Sequence, residues 1–140
     1  MPCSTELPHL CTLMILLDTN ALLWVLGDPK QFGANSLRLL AEADEVYSSP
    51  VSLFEISIKT MLGKLIVPPD FAAVARANGI QELPLNHRHA EAVGVFPELA
   101  RHDPSDRLIL AQAYVQGMTL LTSDRALISL GRQFVRDART

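Results

Sequence analysis

Short apolar runs alternate with longer segments of helical period along this chain. One continuous apolar run, residues 13–17, stops at Asp18. Runs of this length are typical of strands that a parallel sheet buries on both faces. The predicted strands are residues 13–17, 45–49, 80–85 and 118–122. Phe134 and Val135 suggest an edge strand in addition.

Between these runs, apolar residues recur at the helical spacings of three and four. The predicted helices are residues 21–26, 34–43, 51–61, 68–78, 86–95 and 104–116, with a short one starting at Arg125. Strand–helix alternation predicts an α/β fold with a central, mostly parallel sheet of four to five strands and helices on both faces. We expect one domain over residues 13–140, after an irregular lead-in at residues 1–12.

The predicted helix 104–116 begins in a dense polar cluster. Asp103 is a good N-cap, and Pro104 suits the first helical position because the N–H it lacks would be unpaired there anyway. Asp106 precedes Ile109, Leu110 and Ala113 by three, four and seven residues, so it lies in line with the buried stripe. A carboxylate in that position is costly unless a positive partner meets it. Asp106 is therefore a candidate site residue, whereas Asp103 can be explained as a cap.

A second acid touches a predicted stripe in helix 51–61. The residues expected to face the core are Val51, Phe54, Ile58, Met61 and Leu62. Glu55 stands four residues after Val51 and three before Ile58, so it borders the same stripe. The alternative is an ordinary surface pair with Lys59, four residues on.

Two more acids follow predicted strands directly. Asp18 comes after the first strand, and Asp124 follows the fourth after a small polar residue. In open α/β sheets, ligands bind outside the carboxyl ends of the strands, although either residue could simply cap the helix that follows. The predicted topology brings Asp18, Glu55, Asp106 and Asp124 to one sheet edge. Carboxylates repel one another there, and Mg²⁺ or Mn²⁺ relieves the conflict because both prefer oxygen ligands. Such an ion activates water for phosphodiester hydrolysis.

Composition limits the other classes of function. The net charge of −3 gives no global basic footprint for non-specific nucleic-acid binding, although an acidic site would mask a basic rim. No apolar run reaches the roughly 18 residues of a membrane span, and the first residues do not resemble a secretory signal. Cys3 and Cys11 form no disulfide framework, which favours a reducing cytoplasm.

His87 and His89 lack the spacing of three or four that helical metal ligands prefer, so we predict both to be surface residues.

The chain resembles the PIN-domain nucleases, and most closely the VapC-type toxins of bacterial type II toxin–antitoxin systems. The segments that carry the resemblance occur in family order at residues 16–24, 52–59, 62–65, 103–113 and 120–124. The resemblance implies that Asp18, Glu55, Asp106 and Asp124 form the metal site. It also implies that Asn20 and Thr122 are polar neighbours of that site and that Asp103 is an auxiliary acid.

The activity implied by the resemblance is that of a Mg²⁺- or Mn²⁺-dependent endoribonuclease in the cytoplasm, inhibited by a cognate antitoxin and often dimeric. One departure is Ser105, where relatives often carry an aromatic residue. That change could alter contacts with a substrate or a partner. The sequence does not identify the RNA, the antitoxin, the oligomeric state or the number of metal ions.

Two rival functions stay open at this point. An aspartyl phosphotransferase of the dehalogenase type also places an Asp after its first strand, but it normally needs a second Asp where this chain has Asn20. A catalytically silent PIN-like module that binds RNA or protein is the other alternative. We expect such a module to lack one or more of the four acids, and all four are present.

Overall fold

The computed structural model describes residues 12–140, which form a five-stranded parallel sheet in the order β3-β2-β1-β4-β5. The strands are β1 (Met14–Leu17), β2 (Glu45–Ser48), β3 (Ile80–Glu82), β4 (Thr119–Thr122) and β5 (Val135–Asp137). The predicted α/β architecture and the edge strand are confirmed. The predicted lead-in at residues 1–12 lies almost wholly outside the described residues, as do both cysteines.

Seven α-helices connect and cover these strands within residues 12–140. They are α1 (Thr19–Gly27), α2 (Ala34–Glu42), α3 (Pro50–Met61), α4 (Phe71–Ala77), α5 (His87–Ala92), α6 (Pro104–Gln116) and α7 (Arg125–Ile128). Single 3-10 turns lie at Pro29–Gln31, Val93–Val95 and Pro97–Leu99. No helix in the described part of the chain is long and apolar enough to cross a membrane.

Several boundaries differ from the prediction for local reasons. Strand β3 ends at Glu82 and not at residue 85, because Pro84 has no N–H to continue the ladder. Leu83 still donates its N–H to the carbonyl of Ser48 at 2.8 Å. Helix α4 begins at Phe71, since the adjacent Pro68 and Pro69 favour extended backbone before them.

The sheet separates two apolar cores, one on each face. Ile15 and Leu17 of β1 pack in one core with residues of α1, α3 and α4, and Leu16 packs in the other with Ile109 and Leu110 of α6. Successive side chains of a strand point to opposite faces, so one continuous apolar run supplies both cores. The three-layer arrangement follows directly from this alternation.

The predicted buried stripe of α3 is wrong. Phe54, Met61 and Leu62 are 64%, 82% and 62% exposed, and the side chains that α3 buries most completely are Val51, Ser52 and Ile56. Apolar periodicity marks a face that avoids water, but it does not say whether the same domain covers that face. Val51 is buried as predicted, and the rest of the stripe is an exposed apolar surface on this chain.

The prediction that His89 is a surface residue is also wrong. Its ring is 1% exposed, and its Nε2 lies 2.8 Å from Oε1 of Gln116 in α6. Its Nδ1 accepts a hydrogen bond from the backbone N–H of Asn86, the N-cap of α5. The spacing argument addressed metal binding and not burial, and a histidine with polar partners at both nitrogens is readily buried. His87 is exposed as predicted.

Candidate metal centre

The carboxyl ends of β1 and β4 open into a cleft of about 390 Å³ lined by acidic side chains. The two strands are adjacent and parallel, with Leu17 paired to Leu121, so the residues that follow them meet at one edge. All four predicted ligands line this cleft, together with Asn20 and Asp103. We call it the acidic cleft; Asp18, Glu55, Asp106 and Asp124 define it.

Asp18 is fixed almost completely by hydrogen bonds. Its Oδ1 accepts from the N–H of Ala21 at 2.7 Å, which makes it the N-cap of α1. Its Oδ2 accepts from the hydroxyl of Thr122 at 2.6 Å and from the N–H of Ser123 at 3.2 Å. The residue is 3% exposed. A carboxylate has about four lone-pair positions, so Oδ1 keeps one free for a further ligand.

Thr122 connects the two strand ends through its hydroxyl. The hydroxyl donates to Asp18 and accepts from the N–H of Asp124 at 3.0 Å. Next to it, the amide of Asn20 donates to the hydroxyl of Ser123 at 3.1 Å. We call Asp18, Thr122 and Ser123 the buried half of the cleft. Of the two predicted polar neighbours, Thr122 belongs to this half and Asn20 contacts it.

The other side of the cleft brings two carboxylates against one imidazole. The Nε2 of His102 lies 3.1 Å from Oδ2 of Asp124 and 3.4 Å from Oδ2 of Asp106. Asp106 is in the first turn of α6, and Asp124 caps α7 by accepting from the N–H of Leu127 at 3.0 Å. We call His102, Asp106 and Asp124 the crowded half. The side chains of all three are between one-fifth and one-third exposed.

The proton affinities of the acids follow from this crowding. Burial, reinforced by repulsion from Asp124, raises the pKa of Asp106 to about 7. Partial burial raises the pKa of Asp124 as well, but hydrogen bonds from Leu127, Asp106 and His102 outweigh it and lower the pKa below its ordinary value. Burial raises the pKa of Asp18 despite its hydrogen bonds. The acids of the crowded half therefore compete for charge, as carboxylates sharing a site do.

Glu55 lines the cleft from α3, and the predicted pair with Lys59 is present as well. Its Oε1 accepts from the hydroxyl of Thr19 at 2.7 Å, which fixes the carboxylate beside the start of α1. Its Oε2 lies 4.0 Å from the ammonium of Lys59. An exposed pair of this kind contributes little to stability, so it leaves Glu55 available for a ligand.

Asp103 caps α6 as predicted. Its Oδ1 accepts from the N–H of Ser105 at 2.8 Å, and Pro104 occupies the first helical position. The side chain also lines the acidic cleft. Its capping bond and its place in the cleft are compatible, because a carboxylate has a second oxygen.

The donor atoms suit a divalent cation. One ligand atom from each residue of the crowded half lies within 4.8 Å of the other two. Asp18 and Glu55 line the same cleft, although these residues do not belong to that tight group of three. Oxygen-rich sets of this kind are what Mg²⁺ and Mn²⁺ bind in proteins.

The fold and the acidic cleft match a known family. The PIN domain family model matches residues 15–133. This chain belongs to the PIN domain family.

This PIN domain is similar to proteins of the VapC type, which confirms the resemblance predicted from its sequence. It is 27% identical over 125 residues to Ribonuclease VapC22 of Mycobacterium tuberculosis, covering 82% of this chain and 90% of that relative. Its fold matches VapBC2 from Rickettsia felis, solved bound to a promoter DNA fragment, with a TM-score of 0.65, 17% identity, and coverage of 89% of this chain and 98% of that one. DNA-bound VapBC from Salmonella typhimurium matches with a TM-score of 0.60, 22% identity, and coverage of 89% and 96%.

Several residues at the cleft were not predicted from the sequence, among them Thr19, His102, Ser123, Arg125 and Arg139. The local signal for His102 was weak, because it stands four residues before Asp106 but immediately ahead of the N-cap of α6 and not within the helix. Ser123 lies between two predicted residues. Arg139 had no signal: it is in the C-terminal tail, yet it donates to the carbonyl of Ser123 at 3.1 Å and stacks over Trp24.

Proposed function

We propose that this PIN domain is a cytoplasmic, divalent-metal-dependent endoribonuclease and the toxin of a type II toxin–antitoxin pair. The observation that carries the proposal is the convergence of four carboxylates from separate elements in one cleft. The similarity to Ribonuclease VapC22 supports RNA as the substrate. When bound, Mg²⁺ or Mn²⁺ would supply an activated water and offset charge that develops on the phosphate.

Some residues of this chain would bind such an ion directly, and others would orient those ligands. Asp106, Asp124, Glu55 and Asp18 would be its ligands, and Thr122 and Ser123 keep the Asp18 carboxylate in one orientation. Asp103 would act as an auxiliary acid at the rim. Groups whose orientation is fixed before the substrate arrives need no reorganisation during the reaction.

Basic side chains at the cleft suit a polyanionic substrate. Lys59, Arg125 and Arg139 line the same cleft as the acids. Arg139 is held in place by its bond to Ser123 and its contact with Trp24. Contacts of this kind position the phosphate backbone, while base contacts determine sequence preference. We propose that these three cations bind RNA phosphates on either side of the cleaved bond.

A protein partner is the second part of the proposal. Several structural neighbours were solved as VapBC or toxin–antitoxin complexes. A cleft of about 570 Å³ between α3 and α4 is lined mainly by apolar atoms, with Arg76 among its lining residues. Next to it lies the exposed stripe that includes Phe54 and Met61. We propose that an antitoxin segment with apolar and acidic residues covers this surface; a homodimer remains a prediction.

Cleavage of a labelled RNA tests the enzymatic part. We expect Mn²⁺-dependent cleavage that a chelator abolishes, and a loss of more than about 100-fold in Asp106→Asn and in Asp18→Asn, beyond what changes to supporting residues typically cost. Asp103→Asn is the matched control, because it also removes one acid from the cleft yet should reduce activity only modestly. Circular dichroism verifies that each variant folds.

Two outcomes would contradict this assignment. Equal losses in Asp103→Asn and Asp106→Asn would mean that the ligands are misassigned. RNA binding without metal-dependent cleavage by the wild type would favour the catalytically silent binding module.

A further inference from the structure

The crowded half of the cleft contains one nitrogen donor among oxygens. The Nε2 of His102 faces both Asp106 and Asp124, at 3.4 Å and 3.1 Å from their Oδ2 atoms. In an octahedral or tetrahedral centre with bonds of about 2.1 Å, neighbouring ligand atoms lie about 3.0 to 3.4 Å apart. The imidazole nitrogen already lies at such a distance from each of the two oxygens, and the three atoms all lie within 4.8 Å of one another.

The backbone on both sides holds His102 at this point. Its own N–H donates to the carbonyl of Leu99 at 2.9 Å, which ends the preceding 3-10 turn. The next residue, Asp103, caps α6. His102 therefore lies between two fixed local structures, four residues before Asp106. A ligand anchored in this way loses little freedom when it binds an ion.

An imidazole ligand changes which cation the site prefers. Mg²⁺ binds carboxylate, carbonyl and water oxygens, whereas imidazole suits transition metals. A site of mixed nitrogen and oxygen ligands binds Mn²⁺ more tightly than Mg²⁺. Its affinity rises further for the first-row divalent ions that follow Mn²⁺. The neutral ring also adds a donor without adding negative charge to a crowded acidic site.

We propose that His102 is a direct metal ligand through Nε2, and that it makes this centre select Mn²⁺ over Mg²⁺. The inference rests on the metal centre of the proposed function and extends it. The alternative role for His102 is that of a neighbour that hydrogen-bonds the carboxylates and never contacts the ion.

Pulsed electron paramagnetic resonance of bound Mn²⁺ separates these roles without measuring activity. The protein is titrated with Mn²⁺ alone, and the echo is examined for modulation by a directly bound nitrogen. We expect nitrogen modulation in the wild type and its loss in His102→Gln. His87→Gln is the matched control, since His87 is an exposed histidine on α5, and it should keep the modulation. His102→Asn provides a second variant of different length.

Competition between Mg²⁺ and Mn²⁺ gives the second measurement. The preference for Mn²⁺ should fall by about tenfold or more in both His102 variants, while His87→Gln keeps the wild-type ratio. Mn²⁺ binding with no nitrogen modulation in the wild type, or modulation that persists in His102→Gln, would overturn the inference and leave the metal centre intact. No binding of Mn²⁺ to the wild type would overturn the proposed function as well.

Discussion

The buried half and the crowded half of the acidic cleft satisfy their charges in opposite ways. In the buried half, three donors meet a single carboxylate, that of Asp18, and two of them are backbone N–H groups. In the crowded half, Asp106 and Asp124 share one imidazole, and the pKa of Asp106 rises to about 7. In the buried half the donors fix the orientation of Asp18, although burial still raises its pKa, whereas the crowded half has two repelling carboxylates whose conflict a cation can resolve.

The difference has a structural origin. Asp18 is the residue at which β1 turns into α1, so sheet ends and a helix start supply its donors. Asp106 lies inside the first turn of α6 and faces a neighbouring helix cap. A carboxylate fixed by hydrogen bonds and a pair of crowded carboxylates thus lie side by side. We expect changes to the donors around Asp18 to affect stability, and changes to the crowded half to affect metal binding.

The largest expected effect on stability is that of the cation itself. Mn²⁺ that binds the folded site and not the unfolded chain should stabilise the wild type by about 2.7 kcal/mol at a hundredfold excess over Kd. In the presence of chelator, Asp106→Asn should have a melting temperature at or above that of the wild type, because its amide carries no charge for Asp124 to repel. The same variant should gain less from Mn²⁺. Thermal scans with chelator and then with Mn²⁺ measure both effects.

The control for that comparison is Asp124→Asn. The amide can still accept from Leu127, but it removes a carboxylate whose charge the fold favours, since the pKa of Asp124 is lowered by its hydrogen bonds. In chelator it should therefore melt below Asp106→Asn. Asp106 would be a structural acid and not a ligand if Asp106→Asn melts at a much lower temperature than the wild type in chelator, and its melting temperature rises as much as that of the wild type when Mn²⁺ is added.

Removing hydrogen bonds from the buried half of the cleft should lower the free energy of unfolding directly. Thr122→Val keeps the side-chain volume but removes the donor to Asp18 and the acceptor for the N–H of Asp124. Leaving buried partners unsatisfied costs about 1 to 3 kcal/mol. Urea unfolding in chelator measures the loss. Thr122→Ser keeps the hydroxyl and loses one methyl group, so we expect it to be more stable than Thr122→Val; the reverse order would show that these bonds do not hold the strand ends together.

The dependence of stability on pH should show how much the raised pKa of Asp106 contributes. The folded-state pKa of Asp106 is about 7, above its ordinary value of 3.8, so between these values the folded protein holds a proton that the unfolded chain has lost. The stabilisation that comes from this bound proton is present at low pH and is lost as pH rises through about 7. In chelator, the free energy of unfolding should fall between about pH 5 and about pH 8. Asp106→Asn should flatten this slope, and an unchanged slope would remove Asp106 as its source.

The smallest effect is expected at Asp103. Asn is as good an N-cap as Asp, so Asp103→Asn should change the free energy of unfolding by only a few tenths of a kcal/mol, whereas Asp103→Ala should cost about 1 kcal/mol. Denaturant titration of both variants checks this. A large loss in Asp103→Asn would mean that the charge of Asp103, and not its capping bond, supports the cleft.

Helices α6 and α3 show how far apolar periodicity predicts burial. In α6 the predicted residues Ile109, Leu110 and Ala113 are fully buried. In α3 the same reasoning selected a stripe that is largely exposed, while Ser52 lies inside. Helix α6 packs between the sheet and α5, but one side of α3 has no covering element among the described residues. Periodicity identifies an apolar face, and only packing decides what covers it.

Local features of the sequence were enough to predict the elements and the acids at their ends. Apolar runs, proline positions and capping residues placed Asp18 and Asp124 after strands and Asp106 in a first turn, and strand–helix alternation predicted that these acids share one sheet edge. Which atoms meet at that edge depends on tertiary packing. The hydroxyl of Thr122 meets Asp18 across 104 residues of sequence, and β1 lies beside β4 because the strand order crosses over. The meeting of His102 with Asp124, and of Arg139 with Ser123, is likewise set by how helices and tail pack on the sheet, which no local pattern encodes.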